Sequence, residues 1–445
     1  MGFCIMVVTM PHGASAETAR RAATTLQPTD KGTIMARFNT QLVHGLPVDD
    51  NDTGAVNPPI YNSSTYAFPS VDSVPRWDYA RSGNPTRDFL EHQIAQLEHG
   101  RRGFAFSSGL AAIHAVLSIF QPGDRIVAGD NVYGGSYSQL NDHFTRWGLE
   151  VTTVNTAGDL DRLERAISGN GDTAPAKAVY FETITNPLLQ VNDVSRIAAI
   201  AHKYGALVIV DNTFVTPYLQ QPLDLGADVV IHSATKYLAG HSDVIAGLVV
   251  TSSEDLEGRI YFAQNRLGGI LAPAECDAVR RGIQTLALRM DRQQKNAKAI
   301  AQYLLKHPLV ASVHYPGLGE DGEHELTVKG LRGAGGVLSF EVKEGVDPSV
   351  VLDNLHVFRL AVSLGAVESL AELPARMTHF ELPREERLKV GITDELIRLS
   401  IGIEDVDDLV EDLGQALDKA YEALPLDVKQ TIDADNDSQI SKLIA

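Results

Sequence analysis

The stretch His232-Ser233-Ala234-Thr235-Lys236-Tyr237 puts an amine and two hydroxyls directly behind an apolar run, with Gly240-His241-Ser242-Asp243 after it. In a partly dry site a lysine at a strand's carboxyl end loses its preference for the ammonium form, and the free amine can form a Schiff base with a carbonyl group. Ser233 and Thr235 alternate along the strand exit and can turn two hydroxyl donors the same way, towards a phosphate. The plain alternative is a solvated turn. A second acid-bearing strand end, Val208-Ile209-Val210-Asp211-Asn212-Thr213, places an aspartate where ligands of open α/β sheets collect. Such an aspartate can pair with a protonated pyridine nitrogen, or simply cap a turn.

Four further groups could share that site. In Phe106-Ser107-Ser108-Gly109-Leu110 a strand runs through small residues into a helix, and the free N–H groups of Gly109 and Leu110 would form an anion site or an ordinary Ser-capped helix start. Tyr133, in Asn131-Val132-Tyr133-Gly134-Gly135, could stack on a planar ring or pack in a core. Arg398, within Leu396–Ile401, is a charge in a run that otherwise wants burial; its fork suits a carboxylate, unless it faces water from an edge strand. Tyr79 and Arg81 offer a phenol and a guanidinium two residues apart in a loop, suited to phosphate contact or to a turn. No metal is expected: HExxH is absent, and Asp433–Asp437 opens like a calcium loop but lacks its turn glycine and closing glutamate. The acidic Gly317–Gly322 segment reads as a glycine-rich turn and not as a dinucleotide loop.

Short apolar runs alternate with helical patterns from Phe104 to Val250, which predicts an α/β domain around a mainly parallel sheet. The seven expected strands are Gly103–Phe106, Arg125–Ala128, Val151–Val154, Ala178–Phe181, Leu207–Val210, Asp228–His232 and Ala246–Val250, with helices over Arg87–Leu97, Leu110–Phe120 and Val194–His202. A long periodic stretch over Ala274–Leu305 leads to sparser strands at Gly336–Val342 and Leu396–Ile401 and an acidic helix near Glu404–Leu424, a smaller α+β domain. Phe38–Asp78, rich in Asn, Asp, Pro and Ser, reads as an arm over another surface, and 425–445 as a solvated acidic tail.

Composition narrows the partners. With 445 residues and 44% hydrophobic content, two domains are expected; 38 basic against 57 acidic residues give a net charge of −19, which disfavours nucleic acid and anionic membranes. Only Cys4 and Cys276 occur, without CxxC spacing, so a reducing, cytoplasmic setting fits. Met1–Val8 is apolar but far shorter than the roughly 20 residues that span a bilayer. Residues 1–35 read as a disordered extension.

Taken together, the chain from about Thr40 to Leu424 resembles the pyridoxal-phosphate enzymes of cysteine and methionine metabolism: the cystathionine γ-synthases, cystathionine β- and γ-lyases, and methionine γ-lyases. The matching stretches include Pro58–Tyr61, Ser64-Thr65-Tyr66, Tyr79–Thr86, Ser107–Ala112, Tyr133–Gly135, Glu182-Thr183 with Asn186-Pro187, Asp211–Thr213, Ser233–Tyr237, Gly240–Asp243 and Ser363-Leu364-Gly365. The resemblance implies a fold-type-I (aspartate aminotransferase-like) α/β architecture: an arm over 36–84, a cofactor-binding large domain over 85–285 with a seven-stranded sheet, and a small α+β domain over 286–424.

It also implies roles. Lys236 would carry pyridoxal 5'-phosphate as an internal aldimine, shuttle protons and route the substrate through a quinonoid. Asp211 would pair with the pyridine nitrogen, with Thr213 beside it. Ser108, Gly109, Leu110, Ser233 and Thr235 would hold the phosphate, Tyr133 would stack on the ring, Asn186 would contact its hydroxyl side, and Arg398 with Ser363 would grip the substrate carboxylate. Tyr79 and Arg81 would reach the cofactor of a neighbouring subunit in a homotetramer. Val362 and Ser138 stand where cystathionine-using members commonly carry Glu and Arg, which leans towards methionine γ-lyase. Gly135 and the pair Gln264-Asn265 lean back. The expected activity is cystathionine C–S cleavage, with γ-synthase or methionine γ-lyase as alternatives and an inactive binding protein on the same scaffold as the rival class.

Overall fold

The computed structural model describes residues 36–45, 54–170, 173–319, 322–380 and 383–434. The expected extension over 1–35, the residues 435–445 and the middle of the Gly317–Gly322 turn lie outside the described residues. Seven strands form one sheet: β1 (Arg102–Phe106), β2 (Arg125–Gly129), β3 (Glu150–Val154), β4 (Ala178–Glu182), β5 (Leu207–Asp211), β6 (Val229–Ser233) and β7 (Gly247–Thr251), in the order β1-β7-β6-β5-β4-β2-β3. Only β7 runs against its neighbours. Six strands therefore end on the same edge of the sheet.

Both faces are covered, which is why these strands read as unbroken apolar runs. Ile209, Ile231, Tyr180 and Phe104 pack in one cluster with residues of the helices Gly109–Leu117 and Glu254–Leu267. Their strand neighbours Val208, Val210, Val179 and Val230 pack in another with the helices Leu160–Ser168 and Val194–Lys203. The helices start at side-chain caps: Asn84 Oδ1 accepts the Thr86 and Arg87 amides, and Asp159, Asp193 and Ser253 each accept one amide of their own first turn.

A second sheet holds β8 (Val310–His314), β9 (Val337–Val342), β10 (Arg359–Leu360), β11 (Leu370–Glu372) and β12 (Leu396–Ser400), ordered β10-β11-β12-β9-β8. Sequence periodicity anticipates β9 and β12 but not the other three, two of which are only two and three residues long. The periodic Ala274–Leu305 stretch is two helices, Pro273–Gln284 and Leu286–Leu304. Two further expectations need correction. The arm begins with a helix, Phe38–His44, that buries Leu42. The acidic tail is not wholly solvated: residues 426–434 are helical, and Ile432 is buried against the main core.

Backbone contacts at two glycines show how tightly the helices sit on the sheet. A Cβ on Gly103 would lie 2.2 Å from the Glu91 carbonyl oxygen, whereas one on Gly258, within an exposed helix turn, would meet nothing within 4 Å. Gly103→Ala is thus expected to lower unfolding stability by roughly 1–3 kcal/mol, and Gly258→Ala to raise it by up to about 1 kcal/mol. Denaturant titration of the two variants beside the parent chain checks the pair.

Candidate active site

The shared sheet edge assembles the site. Glu182, Asp211 and Ser233 end β4, β5 and β6, and β1 leads through Ser107 into the helix that begins at Gly109. Gly247 is registered between Phe106 of β1 and Ser233 of β6. A Cβ there would fall 2.1 Å from the Ser108 carbonyl oxygen, so only glycine lets the two halves close. A cavity of about 290 Å³ opens at this edge and is also lined by Arg398 of the second sheet and by Ser363 of the loop between β10 and β11.

At one end the cavity collects donors. Ser108 Oγ accepts the Ala111 amide at 3.0 Å and the Ser108 carbonyl oxygen accepts the Ala112 amide, leaving the serine proton and the N–H groups of Gly109 and Leu110 for an anion. A Cβ on Gly109 would lie 2.9 Å from the Ser233 Cβ, so the cradle has no room for a larger residue. The Thr235 hydroxyl exchanges bonds with the Ala246 backbone at 3.2 and 3.0 Å, and lines the same end.

Asp211 stands mid-cavity. One carboxylate oxygen accepts from the Thr213 amide at 3.0 Å and from the Thr213 hydroxyl at 2.5 Å, and that hydroxyl in turn accepts the Ser233 amide at 2.8 Å. Burial raises the Asp211 pKa against the lowering effect of these bonds and of His232. Such a carboxyl gains from a cationic partner in the cavity. Tyr133 donates its amide to Glu182 Oε1 at 2.6 Å, and its ring lines the cavity, half exposed. Gly135 makes space for that ring: a Cβ there would sit 2.6 Å from Tyr133 Cε1.

The amine of Lys236 donates to Ser363 Oγ at 2.7 Å. Burial, then the nearby Arg398 cation, lower the lysine pKa from 10.5 to about 8, with Glu372 opposing them. Arg398 is not an edge arginine facing water; it lies in β12 between β11 and β9 and is 2% exposed. Its Nη1 meets Glu372 Oε1 and Asn186 Oδ1, each at 3.0 Å, and its Nη2 donates to the Ser363 carbonyl at 2.7 Å. Nε is buried without a partner. The guanidinium has five N–H groups, so Nε–H and one Nη2–H remain as a side-on fork, which matches a carboxylate.

Thirteen of the sixteen residues singled out in the sequence line this cavity. Tyr79, Arg81 and Ser138 do not. Tyr79 is 46% exposed, Arg81 donates to Asn265 Oδ1 and its carbonyl at 3.1 and 2.7 Å, and Ser138 donates to Asp142 at 3.0 Å. Sequence reasoning gave no role to Glu182, Thr378 or Glu372. Glu372 carries the same signal that exposed Arg398, a charge inside an apolar strand, but its strand is three residues long.

The sequence profile of the Cys/Met metabolism PLP-dependent enzymes matches residues 39–418. The chain belongs to this family. Its sequence is 50% identical over 379 residues to a cystathionine gamma-lyase of Bacillus subtilis (strain 168), covering 85% of this chain and 98% of that one. It is 49% identical over 385 residues to a cystathionine beta-lyase of Lactococcus lactis subsp. cremoris (strain MG1363), covering 86% and 100%. The crystal structure of cystathionine gamma-lyase from Lactobacillus plantarum complexed with L-serine superposes with a TM-score of 0.83 at 46% identity, covering 86% of this chain and 99% of that one.

Pyridoxal phosphate is the cofactor of this PLP-dependent family, and the cavity fits it. The donor cradle at Gly109 suits the phosphate, the uncompensated Asp211 suits a protonated ring nitrogen, Tyr133 offers a ring face, and Lys236 offers an amine already shifted towards its free form. At neutral pH an amine of pKa about 8 is mostly protonated, and the free fraction rises steeply as pH passes that value. Without cofactor, acylation of Lys236 followed by peptide mass spectrometry is therefore expected to reach half its maximal rate near pH 8. In Arg398→Gln the lost cation moves this midpoint upward. A midpoint near 10.5 in the parent chain contradicts the site's electrostatics.

Proposed function

We propose that this chain cleaves the carbon–sulfur bond of cystathionine, by β- or γ-elimination, with Lys236 as proton carrier and Arg398 as carboxylate clamp. The observation that carries the reading is the placement of one shifted amine 2.7 Å from Ser363 Oγ, on a residue whose carbonyl accepts from the arginine that keeps a free side-on fork. Bound pyridoxal phosphate supplies the electron sink that makes the substrate's α-proton removable. The protein residues do the rest. Arg398 fixes the α-carboxylate through Nε–H and Nη2–H, which orients the Cα–H bond. Lys236, freed from its bond to Ser363, takes that proton; for γ-elimination it takes a β-proton as well, since it is the one basic amine lining the cavity. Asn186, whose Oδ1 is held by Arg398, keeps its amide protons for the ring's hydroxyl side.

At the mouth, two apolar side chains that line the cavity, Ile245 and Val362, are 66% and 53% exposed. This favours a second reading, methionine γ-lyase, in which the departing sulfur carries a small apolar group. The site is proposed to be shared within a cytoplasmic homotetramer. Tyr79 and Arg81 stand outside their own cavity, and the arm exposes Val56, Phe68, Val71 and Val74, apolar surface suited to a second copy.

A panel of cystathionine, methionine, homocysteine and O-acylhomoserine with cysteine tests the reaction. Pyruvate from cystathionine is the β-elimination outcome and 2-oxobutyrate the γ-elimination outcome; net formation of cystathionine overturns the lyase reading. Ser138→Arg with Val362→Glu is expected to shift preference towards cystathionine over methionine, and an unchanged ratio discards this account of the mouth. Mixing inactive Lys236→Ala and Arg81→Ala subunits is expected to restore activity that neither has alone. A mixture as inactive as its parts contradicts a shared site.

A further inference from the structure

The middle of the cavity wall holds two carboxyls where one cation is to be met. Glu182 closes β4 and Asp211 closes β5, and the parallel register sets them side by side. They are 5% and 9% exposed. The basic groups nearby are engaged elsewhere. Lys236 bonds Ser363, Arg398 bonds Glu372, Asn186 and Ser363, and His232 of the adjoining strand β6 bonds Glu98 at 2.6 Å. Tyr180, on Glu182's own strand, bonds the Ser136 hydroxyl at 3.1 Å.

The two acids are served unequally. Asp211 accepts two hydrogen bonds from Thr213, and the Tyr180 hydroxyl also acts on its carboxyl. Glu182 accepts the Tyr133 amide at Oε1, the Asn186 amide also acts on its carboxyl, and its Oε2 is buried with no side-chain donor of its own. Two adjacent buried carboxyls with no cation between them do not both ionise, and the one with more donors keeps the charge. We propose that Glu182 is a neutral carboxylic acid in the working enzyme and a positioning residue for it. Its proton leaves Asp211 as the single anion facing the ring nitrogen, and its bond to the Tyr133 amide holds the stacking ring in place. This role rests on the cofactor reading given above.

The electrostatics agree in direction: burial, and then the charge of Asp211, push the Glu182 pKa well above the ordinary glutamate range. Tyr180 is pushed up by burial and by both acids, so it adds no charge to the group. Neutrality also gives Glu182 a function that an anion lacks. A protonated carboxyl carries an O–H donor, which the anion does not.

Infrared spectroscopy of the full chain labelled with 13C-glutamate, with and without pyridoxal phosphate, tests the protonation state. A protonated-carboxyl C=O stretch that shifts with the label is expected to persist at neutral pH and to vanish in Glu182→Gln. Glu182→Asp, which also removes the labelled group, gives the same answer should the first variant fail to fold. A parent chain without the stretch, or a stretch that survives these substitutions, overturns the proposal. For the positioning role, Glu182→Ala is expected to release pyridoxal phosphate about ten-fold faster on dilution, the equivalent of one lost buried hydrogen bond. Glu182→Gln, which keeps an acceptor for the Tyr133 amide, is expected to recover most of the retention. Equal retention in Glu182→Ala and the parent chain overturns that role. A chain that shows the stretch but never takes up pyridoxal phosphate counts against the proposed function and leaves the protonation state standing.

Discussion

The site depends on a charged seam between the two sheets, in which Lys236 of the large sheet's edge meets Ser363, Arg398 and Glu372 of the small domain's side. Arg398 and Glu372 are direct cross-strand partners of β12 and β11, and both are almost fully buried. Taking two charges from water is costly, and removing either partner of such a pair typically costs roughly 3–5 kcal/mol because the other is left bare. The geometry offsets the burial by saturating three of the guanidinium's five donors with the protein. The two that remain define where a carboxylate can sit. Ser363 links the seam to the amine and does so at φ +94°, a backbone state that non-glycine residues seldom hold unless the surroundings fix it.

From this seam the division of labour in the cavity follows. Anion donors lie at the Gly109 end, cation acceptors in the middle at Asp211, and the amine and the carboxylate fork under the second sheet. Each group comes from a different element: the first helix turn after β1, the ends of β4, β5 and β6, the Val362–Leu364 loop and the centre of β12. A rigid parallel sheet sets the spacing of the first set, and cross-strand pairing sets that of the second. The loop between them supplies the hydroxyl that holds the lysine.

Much of this was legible in the sequence because both faces of the large sheet are covered. Residues such as Val208, Ile209 and Val210 must all be apolar, so each strand stands out as a run and the polar residue ending it marks the edge where ligands collect. The small sheet gave less. Its outer strands are too short for an alternation to repeat, and Glu372 hides in a three-residue strand whose partner is 26 residues away. Arg398 was visible as a misplaced charge, but only cross-strand pairing reveals what neutralises it. Glu182 lay in a recognised stretch, yet its pairing with Asp211 is a matter of register, which spacing along the chain does not carry. The acidic end misled because charge dominates the stretch, while two apolar residues, Val428 and Ile432, anchor residues 426–434 to the core.

The most direct measurement of the central claim is hydride trapping. The protein, supplied with pyridoxal phosphate, is reduced with borohydride, digested and analysed by mass spectrometry. The structure predicts a pyridoxyl adduct on the peptide that carries Lys236 and on no other lysine-bearing peptide. An unmodified Lys236, or an adduct fixed elsewhere, would contradict the assignment of this amine and the site built around it.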